Sequence, residues 1–296
     1  MRDLVRPCHI KRDLSAAGSL VIYFLPFMSD KTDTQEHVDG TCGPTPAKLL
    51  LYNHEPAVKK KPTLNDEFEK ITLPFHLTSG PSIRRMMVDT GAVLSGSAAL
   101  ALLHPDDFVP NDLDFYVVAH GFAGVLVFIQ NHGYKIRENL FSDGYGGNPS
   151  LIIIKLVHPS SQKAINVMTG LQDHVVCMIA SSHSTLVMNY VAWYGLVSLY
   201  PEWTLNRAGL IVNDTPSTTL CFEKYKDRGF TLLHDVIDLA HFTPHHICYE
   251  DPWCPCTERS LHSTSFFKAF IGGSEDLAEN EPPLTWRLPL ACTWKI

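Results

Sequence analysis

Residues 93–118, VLSGSAALALLHPDDFVPNDLDFYVV, constrain this chain more than any other stretch. A short apolar run ends in Ser95-Gly96-Ser97. A helix-forming run from Ala98 to His104 is stopped by Pro105, and Asp112-Leu113-Asp114-Phe115 then opens a second apolar run. The pattern reads as strand, glycine turn, helix, loop, strand. On an extended strand alternate side chains share a face, so Asp112 and Asp114 point one way while Leu113, Phe115 and Val117 point the other. At the strand rise the two aspartates lie roughly 6.6 Å apart. Carboxylates leaning inward at that separation grip one or two divalent cations of the kind that phosphoryl transfer needs. Gly96 lets backbone approach a ligand, and Ser97 stands where it would cap the following helix and leave amide hydrogens for a phosphate.

Gly96-Ser97 followed by Asp112-x-Asp114 resembles the signature of the nucleotidyltransferase-like fold of the DNA polymerase beta superfamily, a glycine-serine turn ahead of a metal-binding Asp-x-Asp strand. More narrowly, VLSGSAALALLHPDDFVPNDLDFYV and the later HSTLVMNYVAW are similar to a group of fungal nucleotidyltransferase-like proteins, over residues 88–201. The resemblance implies an α+β fold: a small mixed or antiparallel sheet flanked by helices, followed by a mainly helical C-terminal part. It implies Mg²⁺ or Mn²⁺ on Asp112 and Asp114, and NTP phosphates against Ser95, Gly96 and Ser97. It also implies a third carboxylate on a neighbouring strand, where this chain carries Asn166. An amide offers a metal a neutral oxygen but neither negative charge nor a carboxylate base.

The segments LIIIKLVH and KAINVM, separated by PSSQ, read as a hairpin. Ile154 and Leu156 must share a face with Ile165 and Val167, which sets the parity of pairing. With Ser160-Ser161 at the centre of the loop, Lys155 falls opposite Asn166. A lysine there repels a divalent cation, or partly replaces it as positive charge for a triphosphate; the other reading is a lysine that snorkels to solvent from an edge strand.

At 296 residues, 45% of them hydrophobic and 19% charged, the chain has the composition of an ordinary globular protein of one or two domains. Its net charge of -7 argues against broad nucleic-acid binding, so a polynucleotide partner is not favoured. Eight scattered cysteines are not a disulfide framework and fit reduced thiols in a cytoplasmic or nuclear setting. The apolar run 16–28 follows Arg6, Lys11 and Arg12 but also Asp3 and Asp13. It is too short to span a bilayer and is broken by Pro26, so a buried strand or an extension is preferred to a signal sequence and no membrane partner is favoured. Residues 29–61, rich in Thr, Gly and Pro and ending in three lysines, read as a mobile arm.

Four regions result: a mobile N-terminal extension (1–63), a nucleotidyltransferase-like core (64–170), a mainly helical part (171–272) and a tail (273–296). Helices are expected over 79–91 and 121–132, each bounded by glycine. The glycine-rich 142–149 reads as a turn or a ligand border. Ser184 is placed to cap a helix with a stripe of Leu186, Val187, Tyr190, Val191 and Tyr194, and His183 and Asn189 are polar groups that would face a cleft. A helix over 218–228 carries Lys224, Lys226 and Arg228, charges favoured near a helix C-terminus or, alternatively, phosphate or acceptor contacts. The run 232–242 again has helical spacing. His245, His246, Cys248, Cys254, Cys256 and His262 are soft donors of the type Zn²⁺ selects, but Cys254-Pro255-Cys256 is not a paired knuckle. Buried thiols and surface histidines are preferred there to a structural zinc.

Two functions remain open on these grounds. One is Mg²⁺-dependent transfer of a nucleoside monophosphate from an NTP to an acceptor hydroxyl, impaired by Asn166. The other is an inactive nucleotide-sensing or protein-interaction scaffold of the same fold. The sequence names neither base nor acceptor.

Overall fold

The structure is a computed structural model and describes residues 62–77, 79–142, 151–234, 250, 254, 257–261, 266–270, 284–286 and 288. The readings made for residues 1–61 and 143–149, and for all the zinc-type donors except Cys254, lie outside them.

The chain enters through α1 (Leu64–Thr72), where Thr63 and Asp66 form a capping box. This places Thr63, assigned above to the extension, at the start of the folded part. After a 3₁₀ turn come α2 (Gly80–Thr90), β1 (Val93–Ser95), α3 (Gly96–Leu103), β2 (Asp112–Tyr116) and α4 (Phe122–Asn131). The expected strand, turn, helix, loop and strand form in that order. Next are β3 (Lys135–Ser142) and the hairpin of β4 (Leu151–Val157) with β5 (Ala164–Thr169), then the short α5 (Val175–Ile179). The molecule is mixed α+β.

The main sheet has eight strands in the order β11-β7-β6-β1-β2-β5-β4-β3, in which β6 is Asn189–Ala192, β7 is Gly195–Ser198 and β11 is Phe266–Ala269. Only β2 and β5 run parallel. On one face Leu94, Leu113, Phe115, Val117, Ile154, Leu156, Ile165 and Val167 form a core with the apolar sides of α1 to α4. Phe115 is fully buried there; such a side chain contributes about 1.5–3 kcal/mol. On the other face Val93, Tyr116, Ile153, Met168 and Tyr190 pack against α5 and residues further along the chain. The alternation in β2 thus points Leu113 and Phe115 into the first core and leaves Asp112 and Asp114 on the second face.

The helix expected after Ser184 is not there. Thr185–Val187 is a single 3₁₀ turn, and β6 and β7 form a hairpin about Trp193-Tyr194. Tyr190 and Val197 go to the second core and Val191 and Leu196 to the first, so both faces of the hairpin are buried. Such a run is continuously apolar, and periodicity cannot distinguish it from a buried helix. Asn189 does not face a cleft. Wholly buried, it donates to the Leu186 carbonyl at 2.7 Å and accepts from the Ser198 hydroxyl across the hairpin at 2.6 Å.

Beyond the hairpin lie α6 (Pro201–Thr204), β8 (Ala208–Leu210), α7 (Pro216–Asp227) and β9 (Thr231–Leu233), with β8 and β9 forming a parallel pair. The start of the helix expected over 232–242 is therefore strand. Two-residue strands β10 (Arg259–Ser260) and β12 (Thr285–Trp286) pair antiparallel. Leu284, Trp286 and Leu288 are buried in the second core, so part of the segment assigned as tail is structural. Among the described residues, no helix is long and apolar enough to cross a membrane.

Candidate functional site

The acidic strand and the glycine turn meet by direct pairing. Ser95 lies opposite Asp114 in the β1–β2 register, which brings Gly96 beside the Asp114 carboxylate. Gly96 has φ +63°, and a Cβ on it would fall 2.3 Å from Asp114 Oδ2. Only a residue without a side chain leaves that oxygen its position. Asp112 and Asp114 are half-buried on one face, and both line a cleft that Gly96 also lines.

Asn166 stands beside Asp114 in the parallel β2–β5 register. Its Nδ2 donates to Asp114 Oδ1 at 2.8 Å. Burial pushes the Asp114 carboxyl up to about 7, with the neighbouring Asp112 charge adding to the rise; the Asn166 hydrogen bond and the Lys224 ammonium oppose it. The two neighbouring carboxylates repel each other when both are ionised, and a cation between them would relieve that repulsion. Two carboxylates share this face, a donor pair of the kind a divalent ion takes, and the Asn166 amide stands beside them.

Lys155 lies opposite Asn166 in the β4–β5 register, with the hairpin parity expected from the apolar pattern. It is half-buried but does not line the cleft. The lysine acting on Asp114 comes from α7: Lys224 lines the cleft and sits three residues from Cys221, so both are on one helix face. In the sequence its place near the helix C-terminus matched simple dipole compensation; its half-burial beside Phe222 and Tyr225 required the fold.

The serines behave differently from expectation. Ser95 Oγ donates to the Asn189 carbonyl at 2.6 Å, tying β1 to β6, and lies outside the cleft. Ser97 does not cap α3, because the helix begins at Gly96 with Ser95 in the cap position. Ser97 is buried in the first turn, and its Oγ has no hydrogen-bond partner.

The wall facing the aspartates combines α7 with the loop after α5. His183, Ser181 and Ser182 line it, while Tyr116, Leu151 and Met178 supply an apolar side. Burial holds the His183 imidazole down at about 4, with Lys224 adding to the effect, so the ring is neutral at physiological pH. The far end of α7 is held by Arg207. This residue pairs with Asp107, donates to the Arg228 carbonyl at 3.0 Å and covers the Phe230 ring at 4.7 Å. Arg228 covers Phe108 at 4.1 Å, so the loop leading into β2 and the end of α7 are joined directly.

Among the described residues no group of three or more His, Cys, Asp or Glu side chains is arranged to hold a metal. The acidic site is a pair, and Cys254 is buried away from any such group. A scan against models of known protein families finds no match for the chain, and neither does a search of curated proteins.

Proposed function

We propose that this chain is a nucleotidyltransferase-like protein that binds an NTP with a divalent cation in the cleft between β2 and α7. It transfers a nucleoside monophosphate to an acceptor hydroxyl, slowly, because Asn166 stands where a third carboxylate would complete the site. The observation that carries this reading is the joining of Asp112 and Asp114 on one face with the positive-φ Gly96 at the start of α3, with Lys224 on the facing wall.

Asp112 and Asp114 hold the cation, which would be Mg²⁺ or Mn²⁺. When bound, it neutralises phosphate charge and polarises the phosphoryl group toward attack. The unpaired first-turn amides of α3 take phosphate oxygens, and Lys224 supplies a fixed positive charge. Asn166 orients Asp114 through its amide but accepts no proton from the acceptor hydroxyl, so that proton leaves to solvent and pyrophosphate is the other product. The amide at 166 also favours a second reading, an inactive nucleotide-sensing or protein-interaction scaffold, because Asp114 Oδ1 already has a donor and Lys224 already supplies counter-charge.

Thermal-shift titration with each of the four NTPs, with and without Mg²⁺, beside Asp112→Asn/Asp114→Asn, tests the shared step. A ligand at about a hundred times its Kd stabilises a fold by roughly 2.7 kcal/mol. A Mg²⁺-dependent shift lost in the double variant supports nucleotide binding here; no shift from a folded sample removes it. Asn166→Asp then separates the two readings. Tighter Mg²⁺ binding with a rise in release of pyrophosphate from an NTP favours the impaired enzyme, whereas tighter Mg²⁺ binding without turnover favours the scaffold.

A further inference from the structure

We propose that the acceptor hydroxyl is the chain's own Ser182: a nucleoside monophosphate passes from the bound NTP to Ser182 Oγ, and the protein modifies itself. The inference rests on the nucleotidyl-transfer reading and supplies the acceptor that reading leaves open. Ser182 lines the same cleft as Asp112, Asp114 and Lys224. It is half-buried, and among the described residues its Oγ is neither enclosed nor hydrogen-bonded. The other hydroxyls of the cleft wall are engaged or covered. Ser181 Oγ donates to the Cys177 carbonyl at 2.8 Å, and Tyr116 and Tyr225 are buried.

The backbone on either side of Ser182 is fixed. α5 packs against β2, the strand that carries the aspartates. The turn that follows α5 is closed by the Ser181 amide on the Met178 carbonyl at 3.3 Å and by the Ser182 amide on the Ile179 carbonyl at 3.0 Å. On the far side the His183 carbonyl accepts from the Val212 and Asn213 amides at 2.8 and 3.1 Å. An anchored backbone with a free hydroxyl leaves only the short serine side chain to be oriented before reaction.

A nucleophile built into the wall needs no binding step of its own, and holding it beside its target raises its effective concentration by orders of magnitude. That gain matters most where no base assists, and Asn166 accepts no proton. In the step, Ser182 Oγ attacks the α-phosphorus as the bond from that phosphorus to the bridging oxygen breaks. Pyrophosphate leaves with the electron pair of the broken bond, and the hydroxyl proton goes to solvent. NTP and Ser182 thus give a phosphodiester between serine and nucleoside, pyrophosphate and a proton, with no further reactant. The product stays attached, so each chain reacts once.

The test is intact-mass spectrometry of the full chain after incubation with ATP, GTP, CTP or UTP and Mg²⁺ or Mn²⁺, followed by peptide mapping. Wild type is expected to gain the mass of one nucleoside monophosphate, mapped to Ser182, with a rate constant that does not change with protein concentration. Ser182→Ala is expected to lose the gain, and Ser182→Thr, which retains a hydroxyl, to keep part of it. Asp112→Asn/Asp114→Asn loses it as well, and Asn166→Asp gains the mass faster. A gain mapped to another residue, or a rate constant that grows with protein concentration, overturns the inference. So does the absence of any gain from both wild type and Asn166→Asp where thermal shift shows Mg²⁺-dependent NTP binding, and in that case the nucleotide reading stands. Binding of none of the four NTPs overturns the nucleotide reading and this inference together.

Discussion

Replacing Gly96 by alanine separates backbone strain from damage to the acidic pair. Gly96 has φ +63° and Gly91 has φ +69°, but a Cβ on Gly91 meets nothing within 4 Å, whereas one on Gly96 meets Asp114 Oδ2 at 2.3 Å. Both alanine variants carry the left-handed penalty of about 1 kcal/mol. Gly96→Ala adds a steric demand: the carboxylate must withdraw by roughly 1 Å to reach ordinary contact. That movement breaks the 2.8 Å hydrogen bond from Asn166, which above a pH of about 7, where Asp114 is ionised, is a bond to a charged group worth about 1.5–3 kcal/mol. Urea unfolding is therefore expected to show Gly96→Ala less stable than Gly91→Ala by about 2 kcal/mol at unchanged m-value. Mg²⁺ affinity, measured by calorimetry, should fall at least about tenfold in Gly96→Ala and stay at the wild-type level in Gly91→Ala. Equal denaturation midpoints with unchanged cation binding would refute the close approach of Gly96 to Asp114.

The raised Asp114 proton affinity makes stability depend on pH in a defined direction. The folded chain holds a proton that the unfolded chain releases between 3.8 and about 7. The cation-free protein should thus lose stability as pH rises through that window, and both Asp114→Asn and saturating Mg²⁺ should flatten the curve in urea titrations at several pH values. Lys224→Met is expected to weaken NTP binding about tenfold, while Lys155→Met changes it by less than about twofold, since only Lys224 lines the cleft; equal effects of the two would contradict this assignment. Phe230→Ala removes a ring that is 3% exposed and packed beneath Arg207 and against His104, Phe108 and Tyr225. It should cost about 3–5 kcal/mol by chemical denaturation.

Much of the N-terminal half was legible because its signals are local. The glycines after α2 and α4 and Pro105 after α3 mark their elements in the sequence itself, whereas the Thr63–Asp66 box that opens α1 was passed over. The pairing of Lys155 with Asn166 followed from two apolar residues on each strand that had to share a face, together with a loop centred on Ser160-Ser161. The hairpin of β6 and β7 was missed for the opposite reason: with both faces covered, its residues need no alternation. Ser97 was misplaced as a cap because the helix begins two residues earlier than the expected Ala98, at a glycine whose positive φ makes the turn.

The placing of Asp112 and Asp114 on one strand face is dictated by two-residue periodicity, a property of the backbone that holds wherever the strand lies. Which positive charge answers them is not encoded locally. Lys224 and Lys155 stand in equally unremarkable sequence surroundings, and Lys224 reaches the pair because Arg207, Arg228 and Phe230 hold the end of α7 against the loop that enters β2. Likewise His183 is one polar residue among many until Phe222 and Tyr225 bury it beside the cleft. Contacts between residues as much as 100 positions apart, like Arg207 with Asp107, depend on how layers pack, and no local pattern carries that information.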